Sequence, residues 1–115
     1  MSLIHFTDAE VAGLIDPVPS MLDFTRGFLG EDIILTFTTG GIHCGHSTHS
    51  LGLAADLGLA HLAEGAVRDA YRYRLVRAAM KAGFVRIETA PGHVHLDYGQ
   101  PPDYVSPILW MGTDS

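Results

Sequence analysis

The chain has 115 residues, 47% of them hydrophobic and 17% charged, a globular composition that speaks against a disordered tail. A formal charge of -6, from 13 acids and 7 bases, argues against a nucleic-acid binder, and the single cysteine, Cys44, rules out an internal disulfide. No apolar run approaches the ~20 residues of a membrane span, and the length suits one domain over 1–115. The segment from Met1 to Ala12 carries His5, Asp8 and Glu10 and does not read as a secretory signal.

Thr7-Asp8-Ala9-Glu10 has the pattern of a capping box and predicts a short helix to about Ile15, ended by Asp16-Pro17. A second helix is expected after Pro19, with Ser20 as cap, running to Leu29 before Gly30 stops it. Asp32 to Thr38 alternates, with Ile33, Leu35 and Phe37 on one side, and reads as a strand. Gly40 to Ser50 is polar, histidine-rich and expected to be a loop. Leu51 to Leu57 is apolar with no clear period. If Gly52 to Asp56 is extended, Gly52, Ala54 and Asp56 share a face over which backbone can come close to a metal. The longest helix is predicted from Glu64 to Ala82, with an apolar stripe of Val67, Ala70, Tyr71, Leu75, Ala78, Ala79 and Ala82. Arg68, Arg72, Arg74, Arg77 and Lys81 fall outside the stripe and read as a solvated face. Phe84 to Glu88 is a strand, Ala90-Pro91-Gly92 a turn, and His93 to Tyr98 a further strand. The segment after Gln100-Pro101-Pro102 gives no clear pattern. Tyr71, Tyr73 and Tyr98 read as packing residues.

Five of seven histidines lie in the windows 43–49 and 93–95. In the last strand His93, His95 and Asp97 share one face and Val94, Leu96 and Tyr98 the other. Two imidazoles beside a carboxylate need a metal, a hydrogen-bond network or water, because each unpaired buried polar group costs about 1–3 kcal/mol. The bland alternative is a half-exposed edge strand. His49 and Asp56 add a nitrogen and an oxygen donor. With His95 the set suits zinc with one position open, as in catalytic sites.

The stretch from Ser47 to Asp56 contains His-x-x-Gly-x-Ala-x-Asp, and His95-x-Asp97 closes a strand further on. Together they resemble the peptidase M15 family, zinc D-Ala-D-Ala carboxypeptidases and L-Ala-D-Glu endopeptidases that cut peptidoglycan stem peptides, and the related Hedgehog zinc site. The resemblance spans roughly Pro17 to Tyr98. It implies His49, Asp56 and His95 as ligands of Zn2+, with a water in the fourth place whose pKa falls towards ~7. Many members carry an acid three positions before the last histidine ligand, where this chain has Gly92. The expected catalytic residues are therefore Glu88 as base and His93 as proton donor or oxyanion partner. Glu88 also reads as an exposed turn residue, and His93 as a partner for a carboxylate. His43 and His46 either line the substrate cleft or are solvated loop residues. Cys44 in a structural zinc site or a Cys-His nucleophile pair is the remaining alternative there. Asp97 reads as orienting a ligand or capping a turn. Gly40-Gly41 stands where many members place an arginine for a substrate carboxylate, which favours an endopeptidase.

The expected fold is α+β, a small mixed or antiparallel sheet with helices packed on one side, Hedgehog/DD-peptidase-like. The expected function is hydrolysis of peptidoglycan stem peptides or cross-links by a phage lysis or virion-associated enzyme, made in the cytoplasm and acting on the wall or carried in a virion. Its partner is the peptide substrate, with no nucleic acid and no membrane, and with phage structural proteins as further candidates. The competing expectation is an inactive zinc-binding module such as a tail component.

Overall fold

The computed structural model describes residues 3–37, 48–49 and 51–114. Its elements in chain order are α1 (Val18–Leu29), β1 (Leu35–Phe37), β2 (Ala54–Gly58), α2 (Ala66–Lys81), β3 (Arg86–Thr89), β4 (His93–Asp97) and β5 (Ile108–Met111). The five strands form one mixed sheet in the order β1-β2-β4-β3-β5, antiparallel except for the β3–β5 pair. Both helices pack on one face, giving the α+β layering that the sequence predicts. No described helix is long and apolar enough to cross a membrane.

The core lies between the helices and that face. Val18, Met21 and Leu22 of α1 and Tyr71, Leu75 and Ala79 of α2 meet Leu57, Ile87, Val94 and Leu96 of the central strands. Fully burying a side chain such as Leu57, Leu75 or Leu96 contributes about 1.5–3 kcal/mol each. Because side chains alternate, the same strands send His93, His95 and Asp97 to the opposite face.

Several local expectations need correction. The capping box at Thr7 and Glu10 forms, with Thr7 N–H on Glu10 Oε1 at 2.8 Å and Glu10 N–H on Thr7 Oγ1 at 3.2 Å. It opens only a run of turns, since Gly13 at φ 85° takes the chain out of the helical region within two turns. Helix α1 starts at Val18, not after Ser20, with Pro19 in its first turn where its missing N–H costs nothing. Phe24 and Phe28 of α1 face solvent, as does Tyr73 of α2.

The expected stripe on α2 holds at Tyr71, Leu75, Ala78 and Ala79 and departs at its N-terminal end. Val67 is 64% exposed, whereas Arg68 is only 9% exposed. Arg68 donates from Nε and Nη2 to Leu62 O and from Nη1 to Pro91 O, at 3.0, 2.7 and 3.2 Å. Arg72 adds bonds to Ala90 O and Pro91 O. Arg74 forms a bidentate pair with Glu31 at 2.7 and 3.0 Å. These guanidiniums serve as fasteners, and Arg68 and Arg72 fix the β3–β4 turn that precedes His93. The segment after Pro102, unreadable from sequence, holds β5. The expected loop residues His43, Cys44 and His46, together with Gly40-Gly41, lie outside the described residues.

Candidate metal centre

Strand β4 is central, and its neighbours are in register with its polar face. Asp56 on β2 lies opposite His95, Glu88 on β3 lies opposite His95 from the other side, and Trp110 on β5 lies opposite Glu88. Asp56, His95, Glu88 and Trp110 thus form one row across the face away from the helices. His93 and Asp97 stand one pleat to either side of His95.

His49 reaches this row from a turn just before β2. Gly52 N–H bonds to His49 O at 3.1 Å and Leu53 N–H to Thr48 O at 2.9 Å. Gly52 has φ 75°, and a Cβ there would lie 2.6 Å from Gly13 O. Its place in the motif therefore answers to backbone geometry. It is not extended with Ala54 and Asp56, and it makes room for Gly13, not for a metal.

The three expected donors converge. His49 Nε2 is 3.2 Å from Asp56 Oδ1, His95 Nδ1 is 3.1 Å from the same oxygen, and the two nitrogens are 3.2 Å apart. Ligands at ~2.0–2.1 Å in a tetrahedron stand roughly 3.3 Å from one another, so the triangle has the size of one face of a zinc site. The other nitrogen, His95 Nε2, lies 2.7 Å from Asp97 Oδ2. A carboxylate only accepts, so Nε2 carries the hydrogen and Nδ1 turns its lone pair towards Asp56 and His49. Lone pairs facing each other at this distance require a positive charge among them. The three residues can coordinate a divalent ion, and two imidazoles with one carboxylate are consistent with zinc.

Asp97 is the anchor. Its side chain is 1% exposed, and its Oδ1 accepts from Arg86 Nε at 2.6 Å and from Gly99 N–H at 2.9 Å. Thr48 Oγ1 lies 3.4 Å from its Oδ2. Arg86 is packed between the rings of Tyr104 and Trp110, 5.1 and 5.4 Å from their centroids.

Protonation follows from this network. Burial alone would lift the Asp56 carboxyl, but hydrogen bonds and charge from His49 and His95 outweigh it and hold the group far below the usual carboxylate range. Burial opposes charging of His95, yet bonds to Asp56 and Asp97 push it up to about 9. Asp97 is also lowered, its burial outweighed by His95, Gly99 and Arg86. Without a metal, the centre completes itself with a proton on His95 between two carboxylates.

Glu88 and His93 sit beside this centre. Trp110 Nε1–H donates to Glu88 Oε2 at 3.2 Å, and His93 Nε2 is 3.5 Å from Glu88 Oε1. His93 Nδ1 is 2.9 Å from Asp114 Oδ1. Sequence reasoning missed Arg86, Thr48 and Asp114, and left Trp110 open between core and cleft wall. Arg86 was within reach, since the period of two puts it on the face of Glu88 in β3. Trp110 and Asp114 depend on the β3–β5 pairing, for which the sequence carries no signal. The substrate-lining roles expected for His43 and His46 fall outside the described residues.

Compared with protein-family models, curated proteins and solved structures, the chain matches none of them.

Proposed function

We propose that the chain is a zinc peptidase that hydrolyses peptide bonds of peptidoglycan stem peptides or cross-links, in the manner of the peptidase M15 family it resembles. The observation that carries this reading is the convergence of His49 Nε2, Asp56 Oδ1 and His95 Nδ1 on the sheet face away from the helices, with Glu88 one strand away from His95. Held by these three residues, zinc would supply Lewis acidity and a coordinated water of lowered pKa.

The chain's own groups divide the remaining work. Trp110 engages Glu88 Oε2, which leaves Oε1 as the oxygen that takes a proton from the attacking water. His93 Nε2, beside Oε1, takes over the proton that Glu88 has accepted and passes it to the leaving amine. Asp97 keeps the His95 ring in place and in one tautomer. Substrate choice follows from where the cations lie. Of the seven basic residues, Arg26 is on α1 and Arg68, Arg72, Arg74, Arg77 and Lys81 are on α2, all in the helical layer behind the sheet. Arg86, on β3, is engaged with Asp97 and Val105 O. A substrate carboxylate thus finds no uncommitted cation on this face among the described residues, and the loop expected from Gly40 to Ser50 contains no lysine or arginine. That favours an internal bond over a C-terminal one. A phage lysis protein or a wall-piercing virion component is the setting proposed for this activity.

The test is digestion of purified peptidoglycan by zinc-loaded protein, with released peptides read by mass spectrometry. New amino termini within stem peptides or cross-links are expected from wild type. Glu88→Gln should retain one zinc per chain and lose about 10²–10⁴-fold in rate. A zinc-loaded wild type that releases nothing would instead identify a zinc-binding module without peptidase activity.

A further inference from the structure

His93 is gripped at both edges of its ring. Nδ1 lies 2.9 Å from Asp114 Oδ1, and Nε2 lies 3.5 Å from Glu88 Oε1. The same Asp114 oxygen accepts the Gly92 N–H at 2.9 Å, so the carboxylate is fixed by donors on two consecutive residues. A Cβ at Gly92 would sit 3.1 and 3.2 Å from the two Asp114 oxygens, so glycine there leaves room for the incoming carboxylate. Asp114 is carried to this place by the C-terminal strand, whose ladder continues past β5 through Gly112 N–H on Thr89 O at 2.8 Å.

We propose that Asp114 is a positioning residue of the site: by accepting from His93 Nδ1–H and Gly92 N–H, it sets the tautomer of His93 and turns Nε2 towards Glu88 and the substrate. The inference rests on the roles given above to Glu88 and His93. Its physical content is separate from them. A neutral imidazole carries its hydrogen on either nitrogen, and the bond made at one nitrogen decides what the other presents. A carboxylate only accepts, and Asp114 Oδ1 stands at hydrogen-bond distance from Nδ1, 2.9 Å, whereas Glu88 Oε1 stands 3.5 Å from Nε2, so Asp114 selects the Nδ1–H form. His93 begins β4 between Gly58 and Ala90, whose N–H bonds to His93 O at 3.0 Å, and neither neighbour has a side chain long enough to hold the ring. Without Asp114 the ring can flip or exchange tautomers, and the wrong nitrogen faces Glu88 for part of the time. The carboxylate that holds Gly92 and His93 is thus delivered from 22 residues downstream.

The experiment compares zinc-loaded wild type with Asp114→Ala and Asp114→Asn by peptidoglycan turnover and by 15N NMR of the histidine rings. In wild type, His93 Nδ1 should show the shift of a protonated nitrogen. In Asp114→Ala it should move to the shift of an unprotonated one, with kcat down about 10–100-fold, KM within twofold and one zinc still bound. Asp114→Asn keeps an acceptor oxygen and should recover part of both signals. In a His93→Ala background, Asp114→Ala should cost nothing further. An unchanged His93 nitrogen spectrum in Asp114→Ala overturns the inference, as does unchanged kcat beside an active wild type. If wild type itself is inactive, the peptidase reading falls, and the nitrogen spectra alone decide the role of Asp114.

Discussion

Asp97 shows why one residue beyond the three donors controls the centre. Its Oδ2 holds His95 Nε2–H, and its Oδ1 holds Arg86 and the Gly99 amide. Replacing it by asparagine keeps the shape but brings an amide NH2 against one of these donors. If the NH2 meets His95, the ring loses its acceptor and the lone pair at Nδ1 is no longer secured. If it meets Arg86, a buried guanidinium is left unpaired. Asp97→Asn is therefore expected to weaken zinc binding by about 10–100-fold and to destabilise the fold by about 3–5 kcal/mol, the cost of breaking a buried pair. Zinc titration calorimetry and urea unfolding would read the two effects separately. Wild-type affinity in Asp97→Asn would show that His95 does not need this partner.

At the scale of elements, strand β5 matters more to the site than its position near the chain end implies. It brings Trp110 to Glu88 and continues to Asp114. Gly112 is the point of closest approach: a Cβ there would lie 1.9 Å from Glu88 Oε2 and 2.4 Å from its Cδ. The φ of Gly112 is not positive, so alanine meets no backbone penalty, and the clash falls on the end of a flexible side chain. Gly112→Ala should thus cost ~1 kcal/mol or less in stability while pushing the Glu88 carboxylate off Trp110. Peptidoglycan turnover should fall at least tenfold with zinc retained, and Trp110 fluorescence should change as its N–H loses an acceptor. Unaltered emission and turnover would place Glu88 elsewhere. Beta alternation explains what could be read beforehand. His95 and Asp97 are assignable to one face because a strand has a strict period of two, and His49 and Asp56 stand out because they share one short motif, whereas Glu88 follows only from the resemblance. Only the first turn of the α2 stripe differs, because a long guanidinium can bury its stem and still find carbonyls, so Arg68 behaves as a core residue. Strand β5 was illegible because its parallel pairing with β3 is a long-range choice that four residues of local pattern do not encode.

The molecule as a whole can satisfy its centre with a proton or with a metal, and pH separates the two. Without metal, His95 has its pKa raised to about 9 in the folded state against about 6.5 when unfolded. The stabilisation it brings is fully present below about pH 6.5 and is lost as pH rises through about 9. Asp56 and Asp97 have lowered pKa values, so their contribution is present above about pH 4 and is lost as pH falls below it. Metal-free protein should therefore be most stable between about pH 4 and 6.5 and weaken towards pH 9. Zinc needs the His95 Nδ1 lone pair, so binding below pH 9 displaces a proton. Its apparent affinity should then climb about tenfold per pH unit between pH 6 and 8. Stabilisation by a ligand that binds only the folded state is about 2.7 kcal/mol at one hundred times Kd, and at fixed zinc it grows as Kd falls. The thermal melting curves should consequently diverge: the difference in Tm between zinc-loaded and chelator-treated protein is expected to be small at pH 6 and larger at pH 8. Proton release on zinc addition at pH 7 in weak buffer should accompany binding. Parallel Tm profiles with and without zinc would mean that the proton and the metal do not compete for His95, and that the convergence of His49, Asp56 and His95 serves the fold alone.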